Sequence, residues 1–235
     1  MDFTALNEFT ENYYKGLADG VYADPMPIDP EETALVLIDV QTCLTTEYFT
    51  EGFKAMGMDV EPMKPVLEAI GENIKPTIAN IERILGGCRE KGIRPIHIKI
   101  ESYLPDAKDT GRLHASAGMF YPPGNPATDF MAQAAPLDGE IVLKKTCSGI
   151  HVGTPIDRIL RNLNVKNVIV VGFYTDQCVS TSVRDLSDLG YKVDLILDAT
   201  NAMSPERHEK ALQGISKIYA NSETTDQLME RIEKL

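Results

Sequence analysis

Apolar residues cluster in this chain in short β-branched runs separated by longer stretches of helical period. Ala34–Val40 (Ala-Leu-Val-Leu-Ile-Asp-Val), Ile93–Ile100, Ile141–Leu143, Val168–Val171 and Val193–Leu197 read as buried strands, with Ser216–Ala220 as a last short one. Between them lie helical patterns. Lys64–Lys91 predicts one long helix or two shorter ones interrupted near Gly71 and Pro76, with Ile78, Ile81 and Leu85 inward. Thr154–Leu163 turns Ile156, Ile159, Leu160 and Leu163 to one face. From Cys178 onward Val179, Val183 and Leu186 keep the same spacing, and Gly190 stands at the C-cap. Pro205–Gln213 and Thr224–Leu235 complete the helices, and Phe3–Leu17 predicts a short one in the acidic lead-in of residues 1–32, with Ala23–Pro30 extended. Two regions show no clear period: Leu44–Asp59, read as a loop rich in aromatics and Met, and Glu101–Leu137, rich in Pro and Gly. A stretch of the latter length within a compact domain is commonly a lid or pocket wall.

Strands alternating with helices imply an α/β fold. We expect a Rossmann-like three-layer α/β/α domain spanning residues 1–235, with a mainly parallel sheet of about six strands and right-handed crossovers. The 235 residues suffice for one such domain with a substantial core. The net charge of −12 argues against a nucleic-acid or anionic-membrane partner. No apolar run approaches the roughly 20 residues of a membrane helix, and Met1–Tyr14 is too polar for a signal peptide. Cys43, Cys88, Cys147 and Cys178 form no Cys-x-x-Cys pair, and their spacings suit neither a zinc site nor a small disulfide scaffold, so free thiols in a reducing cytoplasm are expected; no cofactor is expected.

Three chemically capable residues fall at comparable places. Asp39 ends the first strand, Lys144 or Lys145 ends the third, and Cys178 follows the fourth, where a polar turn becomes a helix. The carboxyl ends of parallel strands share one edge, so these side chains can converge. Each has a plain alternative: a turn-capping Asp, a solvated Lys pair, a small core Cys. A helix N-terminus would favour the thiolate. Together the three suit nucleophilic attack on an amide or ureido carbonyl, with thiolate as nucleophile, Asp39 shuttling the proton and lysine favouring the ionised forms. Backbone N–H groups of the Tyr174–Cys178 turn would hold the oxyanion, on the order of 3 kcal/mol per donor.

Leu-Ile-Asp-Val-Gln at 37–41, the Lys-containing stretch into Gly153-Thr154, and Val-Val-Gly-Phe-Tyr-Thr-Asp-Gln-Cys-Val at 170–179 resemble the isochorismatase-like cysteine hydrolases over about Ala34–Ala220. The resemblance implies an Asp39–Lys145–Cys178 triad, a cis peptide at Phe173–Tyr174, oxyanion donors at the Tyr174 and Cys178 N–H groups, and a homo-oligomer, dimer or tetramer. Counting back from Gly153-Thr154 selects Lys145; aligning on Ser148-Gly149 selects Lys144. Thr42-Cys43-Leu44 and Gly149-Ile150-His151 depart from the family pattern in segments that line the pocket in relatives. Lys99-Ile100-Glu101-Ser102-Tyr103 lacks the Asp-x-His of metal-dependent nicotinamidases; His97 reads as packed within its strand and His114 as isolated in a loop.

Thr-Asp-Gln-Cys-Val-Ser followed by Ser-Val-Arg-Asp-Leu-Ser-Asp is most similar to the biuret, triuret and ureidoacrylate branch. This implies a metal-independent amidohydrolase acting on a small ureido, carbamoyl or amide compound. Gln41, Tyr48, Phe49, Tyr174, Gln177 and Asn221 are the candidates for substrate contact. The alternatives are a vinyl-ether hydrolase using the Asp without the thiol, and a non-catalytic Rossmann-like binding module. Against the latter, no Gly-x-Gly-x-x-Gly follows the first strand.

Overall fold

The computed structural model describes residues 2–21 and 27–235, so the expected extended stretch 23–30 lies partly outside the described residues. In chain order the elements are α1 (Thr4–Val21), β1 (Thr33–Ile38), α2 (Thr46–Ala55), α3 (Lys64–Glu90), β2 (Arg94–Ile100), α4 (Arg112–Ser116), β3 (Ile141–Lys145), α5 (Ile150–Gly153), α6 (Ile156–Asn162), β4 (Asn167–Phe173), α7 (Ser180–Asp188), β5 (Lys192–Asn201), α8 (Pro205–Gln213), β6 (Asn221–Glu223) and α9 (Thr225–Glu233). The six strands form one sheet in the order β3-β2-β1-β4-β5-β6, every pair parallel. This is the doubly wound order in which the chain reverses direction between β1 and β4, so the crevice for a ligand lies beyond the carboxyl ends of those strands.

The period of two along each strand builds the two layers. Leu35 and Leu37 of β1, with Ile169 and Val171 of β4, pack against Ile78, Ile81 and Leu85 of α3 and Leu228 and Ile232 of α9. Ala34, Val36 and Ile38, with Val168 and Val170, face Ile156 and Leu160 of α6 and Val183 and Leu186 of α7. β1 and β4 are buried on both faces throughout, as central parallel strands require. They also approach unusually closely at their carboxyl ends. A Cβ on Gly172, whose φ is +120°, would lie 2.1 Å from the Ile38 carbonyl oxygen. That contact requires glycine, and it brings the turn after β4 against the residue that follows β1.

Two expectations need correcting, and one left open is decided. Leu44–Asp59 is not a loop: it contains the helix α2, capped by Thr45, whose hydroxyl accepts from the Tyr48 N–H. No residue of α2 is fully buried, because its apolar face fronts a cavity instead of the core. The last strand is Asn221–Glu223, with Ser216 and Ala220 forming only an isolated bridge. α3 is a single helix with Pro76 inside it, held by the buried row Ile74, Ile78, Ile81 and Leu85. Among the described residues no helix is long and apolar enough to cross a membrane.

Candidate active site

Lys145 is fully buried, among the largest side chains that are so. It shares the parity of Ile141 and Leu143 on β3, both of which pack on the layer that also holds Cys178. Gly153 of α5 allows the close approach, since a Cβ there would meet Lys145 Cβ at 3.0 Å and Cys147 Sγ at 2.9 Å. The three ammonium hydrogens have three acceptors: Asp39 Oδ2 at 2.8 Å, the Cys147 carbonyl at 3.0 Å and Cys178 Sγ at 3.3 Å. Burial opposes the charge, but Asp39 and Cys178 outweigh it and leave the lysine pKa raised. Lys144, one residue earlier, points the other way. It donates to Glu101 Oε1 at 3.1 Å and lies 4.8 Å from the centre of the Tyr103 ring, so Lys145 is the lysine that reaches the thiol.

Asp39 adopts the left-handed region at φ 53°, which Asp tolerates better than most residues. Its N–H donates to the Ile98 carbonyl, and its own carbonyl accepts from the Gln41 N–H, both at 3.0 Å. This tight turn places the carboxylate in the cavity with Oδ2 on Lys145 and Oδ1 buried without a hydrogen-bond partner.

Cys178 lies within a π-helical turn, Thr175–Val179, that runs into α7. The Phe173–Tyr174 peptide before it is cis, as the resemblance implies. Two contacts to α8 pin the turn: Thr175 Oγ1 to His208 Nδ1 at 2.8 Å, and Arg207 Nε donating to Asp176 at 2.6 Å. Burial pushes the thiol up to about 12, Asp39 adds to the rise, and the opposing pull of Lys145 is smaller. Enclosure of the side chain thus favours the neutral thiol over the thiolate. The pull of a helix N-terminus toward the thiolate is opposed here by burial within the turn, the first cause of the rise.

A cavity of about 440 Å³ opens over Asp39 and Cys178. α2 and the residue that caps its C-terminus form one wall through Tyr48, Phe49, Phe53 and Met56. A second wall comes from the segment after β2, which contributes Leu113, His114, Met119 and Tyr121. The long irregular stretch is thus a pocket wall, as its length suggests. Gly111 fixes it to the end of β3 by donating to the Thr146 carbonyl at 2.8 Å.

The Isochorismatase domain family matches residues 33–227, most of the chain. This protein belongs to the isochorismatase family. It is 26% identical over 214 residues to the ureidoacrylate amidohydrolase RutB of Agrobacterium fabrum, covering 83% of this chain and 88% of that protein. Among solved structures, its fold is similar to that of a cysteine hydrolase from Pseudomonas syringae pv. phaseolicola, with a TM-score of 0.72, 23% identity, and 89% and 96% of the two chains covered. It is also similar to N-carbamoylsarcosine amidase from Thermoplasma acidophilum, with a TM-score of 0.60, 19% identity, and coverage of 83% and 97%.

Within this isochorismatase-family fold, Tyr48, Phe49, Tyr174 and Gln177 line the cavity together with Asp39 and Cys178. Gln41 and Asn221 do not. Both Gln41 amide hydrogens go to carbonyls, of Ile100 at 3.1 Å and Thr128 at 3.0 Å, and its oxygen accepts from the Ile100 N–H, so it ties β1 to β2. Asn221 pairs with Asp194 near the amino end of β5, at the opposite edge of the sheet from the cavity. Of the two segments that depart from the family pattern, Thr42-Cys43-Leu44 supplies Cys43 and Leu44 to the wall. In the other, Ile150 is core, and none of Gly149-Ile150-His151 lines the cavity. His97 is packed as expected, 2.9 Å from Glu140. His114 was not legible as a pocket residue. Burial lowers its pKa, with the Lys145 charge adding to the fall.

Proposed function

We propose that this isochorismatase-family hydrolase is a cysteine amidohydrolase that cleaves a C–N bond of a small amide or ureido compound, with no metal ion required. The observation that carries the reading is the Lys145 ammonium bridging Asp39 and Cys178 at the floor of the cavity. The amidohydrolase relative at 26% identity supports the reaction class. Among the described residues no group of three or more His, Cys, Asp or Glu is placed to hold a metal ion.

Sγ attacks the carbonyl carbon as the thiol proton passes to the open oxygen of Asp39, so a neutral thiol needs no prior ionisation. The Lys145 hydrogen bond to Sγ stabilises the negative charge that develops during the transfer. The Tyr174 and Cys178 N–H groups are the proposed oxyanion donors. The neighbouring Gln177 and Val179 N–H groups are committed to the Tyr174 carbonyl, at 2.9 and 3.2 Å. Asp39 then returns the proton to the departing nitrogen, the C–N bond breaks, and a thioester forms on Cys178. Water attacks the thioester, giving its proton to Asp39, and the tetrahedral intermediate expels Sγ, which recovers that proton.

An ammonia-release screen over ureas, carbamoyl amino acids and simple carboxamides, run on wild type and Cys178→Ala, tests the reading. Turnover of at least one substrate that vanishes in Cys178→Ala is expected. Turnover that survives the substitution contradicts the covalent mechanism.

A further inference from the structure

The cavity has a chemical bias that the catalytic groups do not explain. Its polar groups are few, and none outside Asp39 is charged in its own right. Tyr48 and Tyr121 bond to each other through their hydroxyls at 2.8 Å. Lys145 spends all three hydrogens below the floor. Among the described residues no Arg or Lys side chain lines the cavity. Burial lowers the His114 pKa, which disfavours a cation there. The Gln177 amide and the Tyr174 hydroxyl are left as uncharged polar groups on the wall.

The rest of the surface is aromatic or aliphatic from floor to mouth. Phe173 lies at the floor and is almost wholly buried, whereas Met56 and Leu113 at the rim are exposed. The rings form a connected set. Tyr48 meets Phe49 and Tyr121 edge-on with centroids 6.0 and 6.2 Å apart, and Phe49 lies 6.5 Å from Phe53.

A carboxylate entering this space would lose its water beside the Asp39 carboxylate and gain no counter-charge, a loss that apolar walls do not repay. The net charge of −12 opposes its approach as well. An apolar group gains about 25 cal/mol for each Å² it removes from water. The ring edges and faces suit flat or branched hydrocarbon.

We propose that the reacting amide or ureido group is carried on an uncharged apolar substituent, aryl or branched alkyl, and that the site discriminates against carboxylate-bearing analogues. This rests on the amidohydrolase reading and narrows it. It also separates this chain from a relative named for ureidoacrylate, which is an anion.

The test compares matched compounds on the purified protein: 3-phenylpropanamide against succinamate, phenylurea against ureidoacrylate, and a trimethylammonium-bearing butanamide as the cationic member. Ammonia release gives kcat/KM on wild type, and calorimetry gives binding to Cys178→Ala. We expect the neutral aryl compounds to be favoured over their carboxylate partners by at least about 100-fold. Met56→Arg at the exposed rim should narrow that gap by about 10-fold, and Leu113→Arg serves if the first variant folds poorly.

Equal or better cleavage of the carboxylates, or preference for the cation, overturns the inference and leaves the amidohydrolase reading standing. Tight binding of the aryl compounds to Cys178→Ala without any cleavage by wild type supports the pocket's selectivity and overturns the amidohydrolase reading. Absence of both binding and cleavage of the aryl compounds overturns the inference.

Discussion

The Lys145 ammonium ends 2.8 Å from Asp39 Oδ2, and both side chains are withdrawn from solvent. Each makes the burial of the other possible. Replacing Lys145 by Met leaves the carboxylate buried without its counter-charge and should cost about 3–5 kcal/mol of stability. The pair Asp39→Asn with Lys145→Met should recover much of that loss while remaining inactive. Urea unfolding of the two single variants and the double variant measures the coupling. Additive losses would show that the pair does not act as a unit.

Asp39 acts on the thiol in two opposed ways. Its charge raises the Cys178 pKa at rest, and in the proposed mechanism its open oxygen accepts the proton during attack. Asp39→Asn should therefore bring the thiolate absorbance of Cys178 to lower pH than in wild type, while kcat falls by about 1,000-fold or more. A merely structural aspartate would not give both effects. An unchanged thiol titration in Asp39→Asn contradicts the arrangement.

The turn that carries Cys178 is anchored from outside the site. Thr175 is wholly buried and bonds to His208 Nδ1 at 2.8 Å. Thr175→Val keeps the volume but leaves the imidazole nitrogen unsatisfied, which should cost about 1–3 kcal/mol. Because the same turn carries Cys178, kcat should fall while KM changes little. His208→Ala in the same background should add little further loss, a comparison that steady-state kinetics on the three proteins makes.

Acid stability should depend on Glu140. Hydrogen bonds from Arg89, at 2.8 Å from both Nε and Nη2, lead the causes that hold its carboxyl down at about 2, burial opposes them, and His97 adds at 2.9 Å. The unfolded chain would take up that proton near the ordinary carboxylate pKa of about 4.3. The contribution is present in full above that value and is lost as pH falls towards about 2. Glu140→Gln should lower stability by about 2 kcal/mol at neutral pH and flatten the loss between the two pKa values. Thermal unfolding from neutral to acid pH checks it, and an unchanged acid limb would remove Glu140 from the account.

Much of this could be read from the chain because central parallel strands announce themselves. β1 and β4 are continuous apolar runs, and a polar residue just beyond such a run, Asp39 or Cys178, lies by construction at the crevice. The choice between Lys144 and Lys145 follows from parity with Ile141 and Leu143, once it is known which layer holds the thiol.

What could not be read has equally specific causes. α2 shows no core-facing stripe because its apolar residues face a cavity. β6 is the polar triplet Asn-Ser-Glu, held by Asn221 on Asp194 and by Glu223 paired with Arg231, so no hydrophobic pattern marks it. Gln41 sits two residues from the acid, yet its amide serves the backbone, and composition alone does not distinguish that from contact with substrate.

The covalent step is the central claim, and intact-protein mass spectrometry during turnover of an aryl carboxamide tests it most directly. The account predicts a mass increase equal to the acyl group on wild type, located on Cys178 after digestion and absent from Cys178→Ala. Steady turnover under rapid acid quench with no acyl adduct at any time, or an adduct on Cys43 in place of Cys178, would contradict it.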